Sequence, residues 1–222
     1  MSNIPSTKPP RLPRLPEAAR AAYVEAGIAA MLPEEDLDGL RIVGQRADVV
    51  DMTASAVLDC VFERLAVDAL VAARAHVSHT VADGCRAASC DVRAAGVEAS
   101  LIDDCAFGAV QANAAKIVGV EVRGCRIDYL NCRDAICRDL VFRDCMIGEF
   151  DGNGARLSRV MFVDTRVDAI SLQHAVCSDV DLRGARLREI RGVDSLKGTT
   201  MTVGQIADLA EVFARSIGIR TG

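Results

Sequence analysis

Apolar positions recur along this chain every five residues between Leu40 and Ile190. Two columns of that repeat, one starting at Leu40 and one at Ile42, hold mainly aliphatic, small and cysteine side chains. Residues 40 to 189 carry 22 Asp or Glu and 18 Lys or Arg, and none of these charges falls in either column. A helix repeats its apolar face every 3.6 residues and a half-buried strand every two. A period of five therefore predicts a chain that turns a corner every five residues and buries two of each five side chains.

A second period, of 20 residues, predicts how many corners make one coil. One column repeats alanine at Ala75, Ala95, Ala115, Ala135, Ala155 and Ala175, and another repeats cysteine at Cys85, Cys105, Cys125 and Cys145. Identical small side chains at this interval indicate that residue i lies above residue i−20, so that four five-residue units close one coil. Residues 37–201 are thus predicted to form an all-β parallel solenoid of about 7–8 coils.

The five-residue units resemble a known family, the pentapeptide-repeat proteins, whose loose consensus is Ala-(Asp/Asn)-Leu-X-X. The clearest matches are Val180-Asp181-Leu182-Arg183-Gly184 and Ala185-Arg186-Leu187-Arg188-Glu189, with Cys125-Arg126-Ile127 and Cys145-Met146-Ile147 beside them. The resemblance covers residues 40–189 of 222, about two thirds of the chain. It implies the fold of that family, a right-handed quadrilateral parallel β-helix.

The two ends of the chain follow other patterns. Residues 1–15 contain prolines at 5, 9, 10 and 13 and are predicted to be a disordered tail, with a polyproline segment for a groove on a partner as the alternative. Residues 16–36 are predicted to form a helical cap over the first coil. Residues 202–222 are predicted to form a C-terminal capping helix, which begins with a capping box from Thr202 to Gln205. In some members of the resembled family this end also joins two subunits.

Composition and candidate chemistry argue against an enzyme. All nine cysteines fall in the buried columns, and no two have the spacing of a zinc knuckle, so we predict reduced thiols, no metal and no cofactor. Free thiols favour a cytoplasmic location. No nucleophile lies near a suitable base, and no glycine-rich phosphate loop is present.

A net charge of −5 does not indicate a nucleic-acid or membrane partner, and no apolar run is long enough to span a membrane.

Two groups of apolar residues are candidates for a protein interface. The position before the central residue of each unit should point outward, and there it forms an apolar stripe of Val61, Val81, Leu101, Val141 and Met161. The apolar side of the C-terminal helix carries Ile206, Leu209 and Phe213. An exposed apolar stripe favours contact with a partner or a second subunit, while cover by the chain's own terminal segments remains the alternative.

The sequence therefore favours a non-catalytic scaffold that binds another protein or itself, for example as a homodimer. The alternative, implied by the quinolone-resistance branch of the resembled family, is a mimic of duplex DNA that binds DNA gyrase. Duplex DNA carries about 21 negative charges over the roughly 36 Å expected for this solenoid. The repeats, with 18 basic against 22 acidic residues, have a net charge of −4. That charge does not favour the mimic.

Overall fold

The structure is a computed structural model that describes residues 7–13, 23–216 and 218–220. Its main body is a stack of parallel strands that runs through residues 24–200. The strands pair residue i with residue i+20, as in Arg86 with Ala106 and Gly96 with Lys116. The amide of Lys116 donates to the carbonyl of Ala95 at 2.8 Å, which places successive alanines of the predicted column on successive coils. The predicted solenoid is confirmed.

Two faces of each coil form one continuous sheet of eight strands. These strands are β4 (Arg46–Asp51), β7 (Ala66–Val71), β10 (Arg86–Asp91), β13 (Ala106–Gln111), β15 (Arg126–Asn131), β17 (Met146–Asp151), β19 (Thr165–Ser171) and β22 (Ala185–Arg191).

The other two faces form a 15-stranded sheet. Its lower strands are β1 (Val24–Glu25), β2 (Leu37–Asp38), β3 (Leu40–Val43), β5 (Ala56–Leu58), β6 (Val61–Glu63), β8 (His76–Ser78), β9 (Val81–Asp83), β11 (Gly96–Glu98) and β12 (Leu101–Asp103). Its upper strands are β14 (Lys116–Arg123), β16 (Ile136–Arg143), β18 (Arg156–Val163), β20 (Val176–Ser178), β21 (Val180–Asp181) and β23 (Thr199–Thr200).

The stack has about nine turns. This is more than the seven to eight expected, because a strand joins each end outside the regular repeat. At the lower end Val24 pairs with Leu40, and at the upper end Val180 pairs with Thr199. These registers differ from 20, so a search for the 20-residue period does not reveal them.

Three of the four corners in each coil from Glu34 to Asp164 are made by a residue in the left-handed region, whereas in the last coil Gly184 lies outside it. In one coil these are Asp134, Asp139 and Asp144, with φ of 55°, 55° and 52°. Asp and Gly fill many of these corners because they adopt positive φ at low cost. At the fourth corner the backbone stays extended, as at Tyr129 inside β15. The corner residues therefore fix the width of the coil.

The polar members of the buried columns bond to the backbone at the corners. The Thr80 hydroxyl donates to the Ser78 carbonyl at 3.1 Å, and the Ser100 hydroxyl donates to the Glu98 carbonyl at 2.7 Å. Cysteine uses the same position, since the Cys105 amide donates to the sulfur of Cys125 at 3.3 Å. Each polar atom in these columns is thus satisfied without leaving the interior.

The cysteines lie where the sequence predicts. All nine are free thiols, eight of them buried, and Cys177 is half-buried. Burial raises the pKa of Cys90 to about 12 and that of Cys177 to about 11, so both stay protonated at neutral pH. Protonated, shielded thiols serve as small core side chains.

The lower end differs from the predicted helical cap. Within the described part of residues 16–36 the chain forms strand β1 and a 3-10 turn, Ile28–Ala30. The amides of Val24 and Ala26 donate to the carbonyls of Gly39 and Arg41, both at 2.9 Å. Strand pairing satisfies the open edge of the first coil, which a helix would not do. Residues 16–22 lie outside the described ranges.

The upper end carries two short helices, α1 (Val203–Asp208) and α2 (Ala210–Ser216), after a 3-10 turn at Val193–Ser195. The predicted capping box is present. The Gln205 amide donates to the Thr202 hydroxyl at 3.1 Å, and the Thr202 amide donates to the Gln205 side chain at 2.8 Å. The Gln205 side chain also donates to the carbonyls of Leu182 and Ala185, both at 2.7 Å, which ties the helix to the last full coil.

Two neighbouring alanines test the corner geometry. Ala114 is exposed with φ of 57°, whereas Ala115 is 1% exposed and points inward. Ala114→Gly is expected to raise the free energy of unfolding by roughly 0.5 to 1 kcal/mol, because relief of the left-handed strain exceeds the backbone entropy of glycine. Ala115→Gly is expected to lower it by about 1 to 2 kcal/mol, because a buried methyl group is lost. Urea unfolding of both variants measures the difference, and equal effects would contradict the assigned corner.

Candidate interaction surface

The predicted apolar stripe crosses six neighbouring strands in register. Val61 pairs with Val81, Val81 with Leu101, and Val141 with Met161, while Glu121 interrupts the stripe between Leu101 and Val141. The register thus places these side chains in one line across neighbouring coils.

The expectation that this line is open to solvent is wrong for three of its members. Val61 is 0% exposed, and Val81 and Val141 are each 3% exposed. Leu101 and Met161 are half-buried. Because the structure holds a single chain, these side chains are shielded by the chain's own atoms. The outcome favours the alternative, cover by a terminal segment, for those three positions.

Residues 7–13, here called the N-terminal segment, lie along the solenoid beside this stripe. The Lys8 amide donates to the Asp179 carboxylate at 3.0 Å, and the Arg11 amide donates to the Asp139 carboxylate at 2.7 Å. The hydroxyls of Thr7 and Thr200 share a hydrogen bond at the upper end of the segment. The structure thus differs from the disordered tail expected for residues 1–15 over the part it describes.

Apart from the hydrogen bond to Thr200, the N-terminal segment contacts the solenoid at one corner, which is repeated in successive coils. We call it the docking corner, and its residues all have positive φ: Asp59, His79, Ala99, Gly119, Asp139, Arg159 and Asp179. At Gly119 a Cβ atom would lie 2.8 Å from Pro13 Cδ, so glycine allows the segment to approach. Burial and the nearby carboxylate of Asp59 raise the pKa of Tyr23, which indicates that Tyr23 lies near the same corner lower down.

The spacing of the two hydrogen bonds matches an extended proline-rich chain. Asp139 and Asp179 are 40 residues apart, hence two coils and roughly 9.6 Å along the axis. Lys8 and Arg11 are three residues apart, which is roughly 9.3 Å in a polyproline helix. Pro9 and Pro10 lie between them and have no N–H to satisfy. A segment with the rise of a polyproline helix therefore spans two coils between the Lys8 and Arg11 N–H groups, and both of these groups are hydrogen-bonded.

Asp139 is the most strongly held acceptor of the docking corner. Its two carboxylate oxygens accept from Arg159 Nε at 2.6 Å and Arg159 Nη2 at 2.7 Å. The Arg159 guanidinium lowers the pKa of Asp139, and the Arg11 amide lowers it further. Asp139 is 6% exposed, so its charge is fixed in position and well shielded from water. A buried, oriented carboxylate is a strong acceptor for a backbone N–H group.

The residues predicted on the C-terminal helix divide between two environments. Leu209 is 5% exposed and Phe213 is half-buried, and both pack against the core. Ile206 is 49% exposed and Val203 is 85% exposed. Leu209 and Phe213 thus cover the last coil, and only Ile206 of the three predicted residues is largely open.

Part of the surface charge is paired within single strands. Arg126 pairs with Asp128 at 3.0 Å and Arg166 with Asp168 at 2.8 Å, each within one strand. Among the described residues no group of three or more His, Cys, Asp or Glu is arranged to hold a metal ion. Within the same ranges, no helix has both the length and the apolar character needed to cross a bilayer.

The register of 20 and the left-handed corners, three to a regular coil, decide the fold. The chain folds as a parallel β-helix of five-residue units, the fold implied by its resemblance to the pentapeptide-repeat proteins. No protein-family model matches this chain, and no curated protein matches it either. Among solved structures, full-length QnrB1, a plasmid-mediated fluoroquinolone resistance protein, is 16% identical and aligns over 83% of this chain and 100% of its own, with a TM-score of 0.33. A trypsin-treated variant of QnrB1 is 15% identical over 84% of this chain and 99% of its own, with a TM-score of 0.28.

Sequence reasoning missed Asp139 and Asp179 as acceptors for the N-terminal segment. The sequence does show that both lie at the same corner two coils apart, but nothing in it indicates which corner the segment follows. The prolines of the segment predicted an extended shape, and the 20-residue period predicted the axial spacing. Only the structure shows that the extended segment follows this corner and matches its axial spacing.

Removal of the Asp139 charge tests how the segment is held. Asp139→Asn is expected to speed hydrogen exchange at the Arg11 amide about tenfold, because a charge-assisted hydrogen bond is weakened. In the native chain the Asp139 contribution should be present above about pH 4, the pKa of an unfolded aspartate, and be lost as the pH falls through its lower folded pKa. Hydrogen exchange followed by mass spectrometry measures both effects.

The control for this change is Asp144→Asn, which alters the next corner of the same coil, where φ is 52°. It should leave exchange at Arg11 unchanged. Equal acceleration in both variants would show that the segment is not held through Asp139.

Loss of the Gln205 side chain tests the upper cap. Gln205→Ala is expected to lower the free energy of unfolding by roughly 1 to 3 kcal/mol, since it removes the capping box and two hydrogen bonds to the last coil. Thr202→Ser keeps the capping hydroxyl and should be close to neutral. Thermal unfolding compares the two, and a neutral Gln205→Ala would contradict the role of Gln205 in the cap.

Proposed function

We propose that this protein is a non-catalytic interaction scaffold that binds an extended peptide segment along its docking corner. The segment comes from a protein partner or from a second copy of the chain. The observation that supports this is the pair of hydrogen bonds from Lys8 and Arg11 to carboxylates two coils apart. In the free chain, the N-terminal segment occupies the position that such a peptide would take.

The docking corner suits recognition of a peptide backbone. Asp139 and Asp179 accept main-chain N–H groups, and that contact is independent of the peptide's side chains. Beside them, Val141 and Met161 offer apolar surface, so contact there adds a hydrophobic contribution. A polyproline segment is already ordered before it binds, which lowers the entropic cost of binding.

The N-terminal segment acts in this proposal as a competitor within the chain. A tethered ligand has an effective concentration on the order of millimolar. An outside peptide must therefore displace it, and binding is weak until the segment is released. Release of the segment would uncover Val141 and raise the affinity of the corner for a partner.

Free, mostly buried thiols support a reducing compartment such as the cytoplasm as the place of action. Ion pairs within single strands, together with the net charge of −4 over residues 40–189, argue against the alternative of a DNA mimic that binds gyrase. A mimic requires a continuous acidic face, because duplex DNA presents a charge about every 1.7 Å.

The proposal is tested with two substitutions of one residue. Arg11→Pro removes the N–H that bonds to Asp139 while keeping the extended backbone, whereas Arg11→Ala keeps that N–H. A labelled peptide with the sequence of residues 7–13 is titrated against each variant by fluorescence anisotropy. Light scattering of the same samples gives the oligomeric state.

Arg11→Pro is expected to bind the peptide, or to self-associate, at least tenfold more tightly than Arg11→Ala. Adding Asp139→Asn to Arg11→Pro should remove most of that gain. The absence of both peptide binding and self-association in Arg11→Pro would contradict the proposal. Inhibition of gyrase supercoiling by the native protein at micromolar concentration would instead favour the DNA mimic.

A further inference from the structure

The interior of the lower half of the solenoid is hollow. Several inward side chains of its central column remain half-buried: Val67, Val77, Ala82, Val92, Val97, Ile102 and Phe107. In the upper half, the equivalent side chains from Val122 to Leu172 are exposed by 5% or less. A side chain that points inward yet is only half-buried must border empty space.

This space is a cavity of about 230 Å³. It is bordered at the lower end by Ile28 and Met31 and reaches Phe142 at the upper end. Met52 and Phe142 both line it and are 90 residues apart, hence 4.5 coils and roughly 22 Å along the axis. The cavity is therefore long and narrow, and we call it the shaft.

Small side chains on a rigid frame produce the shaft. Ala72, Ala82, Ala87 and Ala112 occupy central positions of the lower coils. The corners and the strand hydrogen bonds fix the width of each coil, so the wall cannot close in around these alanines. Above the shaft, Phe142 and Phe162 stack with ring centroids 5.1 Å apart, and Phe150 packs edge-on against both at 6.1 Å.

The hydroxyl groups of the lining are already hydrogen-bonded, and Arg86, which alone among the described charged residues borders the shaft, is exposed on the surface. The Thr80 and Ser100 hydroxyls donate to carbonyls of the wall, and the Cys85 thiol donates to the Phe62 carbonyl at 3.3 Å. In the described part of the chain, every buried side-chain nitrogen or oxygen has a partner. A cavity of this kind stays dry and takes apolar guests. A charged group would lose its hydration there without compensation.

We propose that the shaft is a binding site for an unbranched hydrocarbon chain. A linear chain fits because the space is long, narrow and apolar throughout, whereas a compact molecule of the same volume would use only part of its length. The lower end is closed by the 3-10 turn that carries Ile28. The Ile28 amide donates to the Gln45 side chain at 2.8 Å, and this contact must open for a ligand to enter at that end.

The test uses the full chain and two kinds of probe. Xenon-129 NMR reports whether the shaft accepts an apolar atom, and thermal unfolding in buffer saturated with n-octane reports whether it accepts a linear chain. Octanoate, which has the same chain length and a charge, is the control ligand. The native protein is expected to bind xenon and to unfold at a higher temperature in octane, because a ligand that binds only the folded state stabilises it.

Two alanine substitutions locate the site. Ala82→Leu fills the shaft from its wall and is expected to weaken xenon binding at least tenfold. Ala88→Leu adds the same side chain at an exposed position nearby and should bind xenon as the native protein does. Ala82→Val is a smaller filling change that covers the case in which leucine prevents folding, and it should weaken xenon binding by a few fold.

Three results would overturn the proposal. The native protein could fail to bind xenon, the two filling variants could bind it as tightly as Ala88→Leu does, or octanoate could raise the unfolding temperature as much as octane. The first would show that the shaft is closed in solution, and the second would show that xenon binds outside it. The third would show that the stabilising ligand lies outside an apolar site.

Discussion

The whole structure depends on the fixed width of its coil. Each regular coil uses 20 residues, and three left-handed corners with one extended corner set its outline. Backbone hydrogen bonds between coils then fix the rise at about 4.8 Å per turn. Side chains of the interior fill this frame but do not determine it. A chain of this kind can therefore keep its shape where its interior is packed and where it is hollow.

That independence explains why the two halves of the solenoid differ. In the upper half Phe150 fills the place left by Gly152, where a Cβ atom would lie 2.8 Å from its ring. In the lower half, alanines leave a cavity of about 230 Å³ unfilled. At roughly 24 cal/mol per Å³ this void costs about 5 kcal/mol of stability. Strand hydrogen bonding along the two sheets and the ordered caps at both ends offset that loss.

The fixed coil also sets a regular spacing of side chains on the surface. Side chains at one corner stand roughly 4.8 Å apart, so that two coils match three residues of a polyproline helix. The N-terminal segment uses this match through Asp139 and Asp179. A solenoid with a different rise, or a tail with a different backbone shape, would not bring both N–H groups to a carboxylate.

The sequence predicts the solenoid, the buried cysteines and the capping box at Thr202, because each depends on a local pattern or a strict period. It does not predict the lower end, where Val24 joins Leu40 with a register outside the period. The outward position of Val61 and Val141 follows from the repeat, but their burial depends on where a distant segment lies. The alanines of the central column are visible in the sequence, but only the structure shows that the wall does not close around them.

Distances between spin labels along one column test the fixed rise most directly. Arg46, Arg126 and Arg186 are exposed and occupy one register position of the eight-stranded sheet, 80 and 140 residues apart counted from Arg46. Pulsed electron paramagnetic resonance measures the distance between two spin labels. Labels at 46 and 126 are four coils apart and should be roughly 19 Å from each other, and labels at 46 and 186 are seven coils apart and should be roughly 34 Å from each other. A markedly shorter or broad distance for the first pair would show that the hollow half has collapsed and would contradict a coil of fixed width.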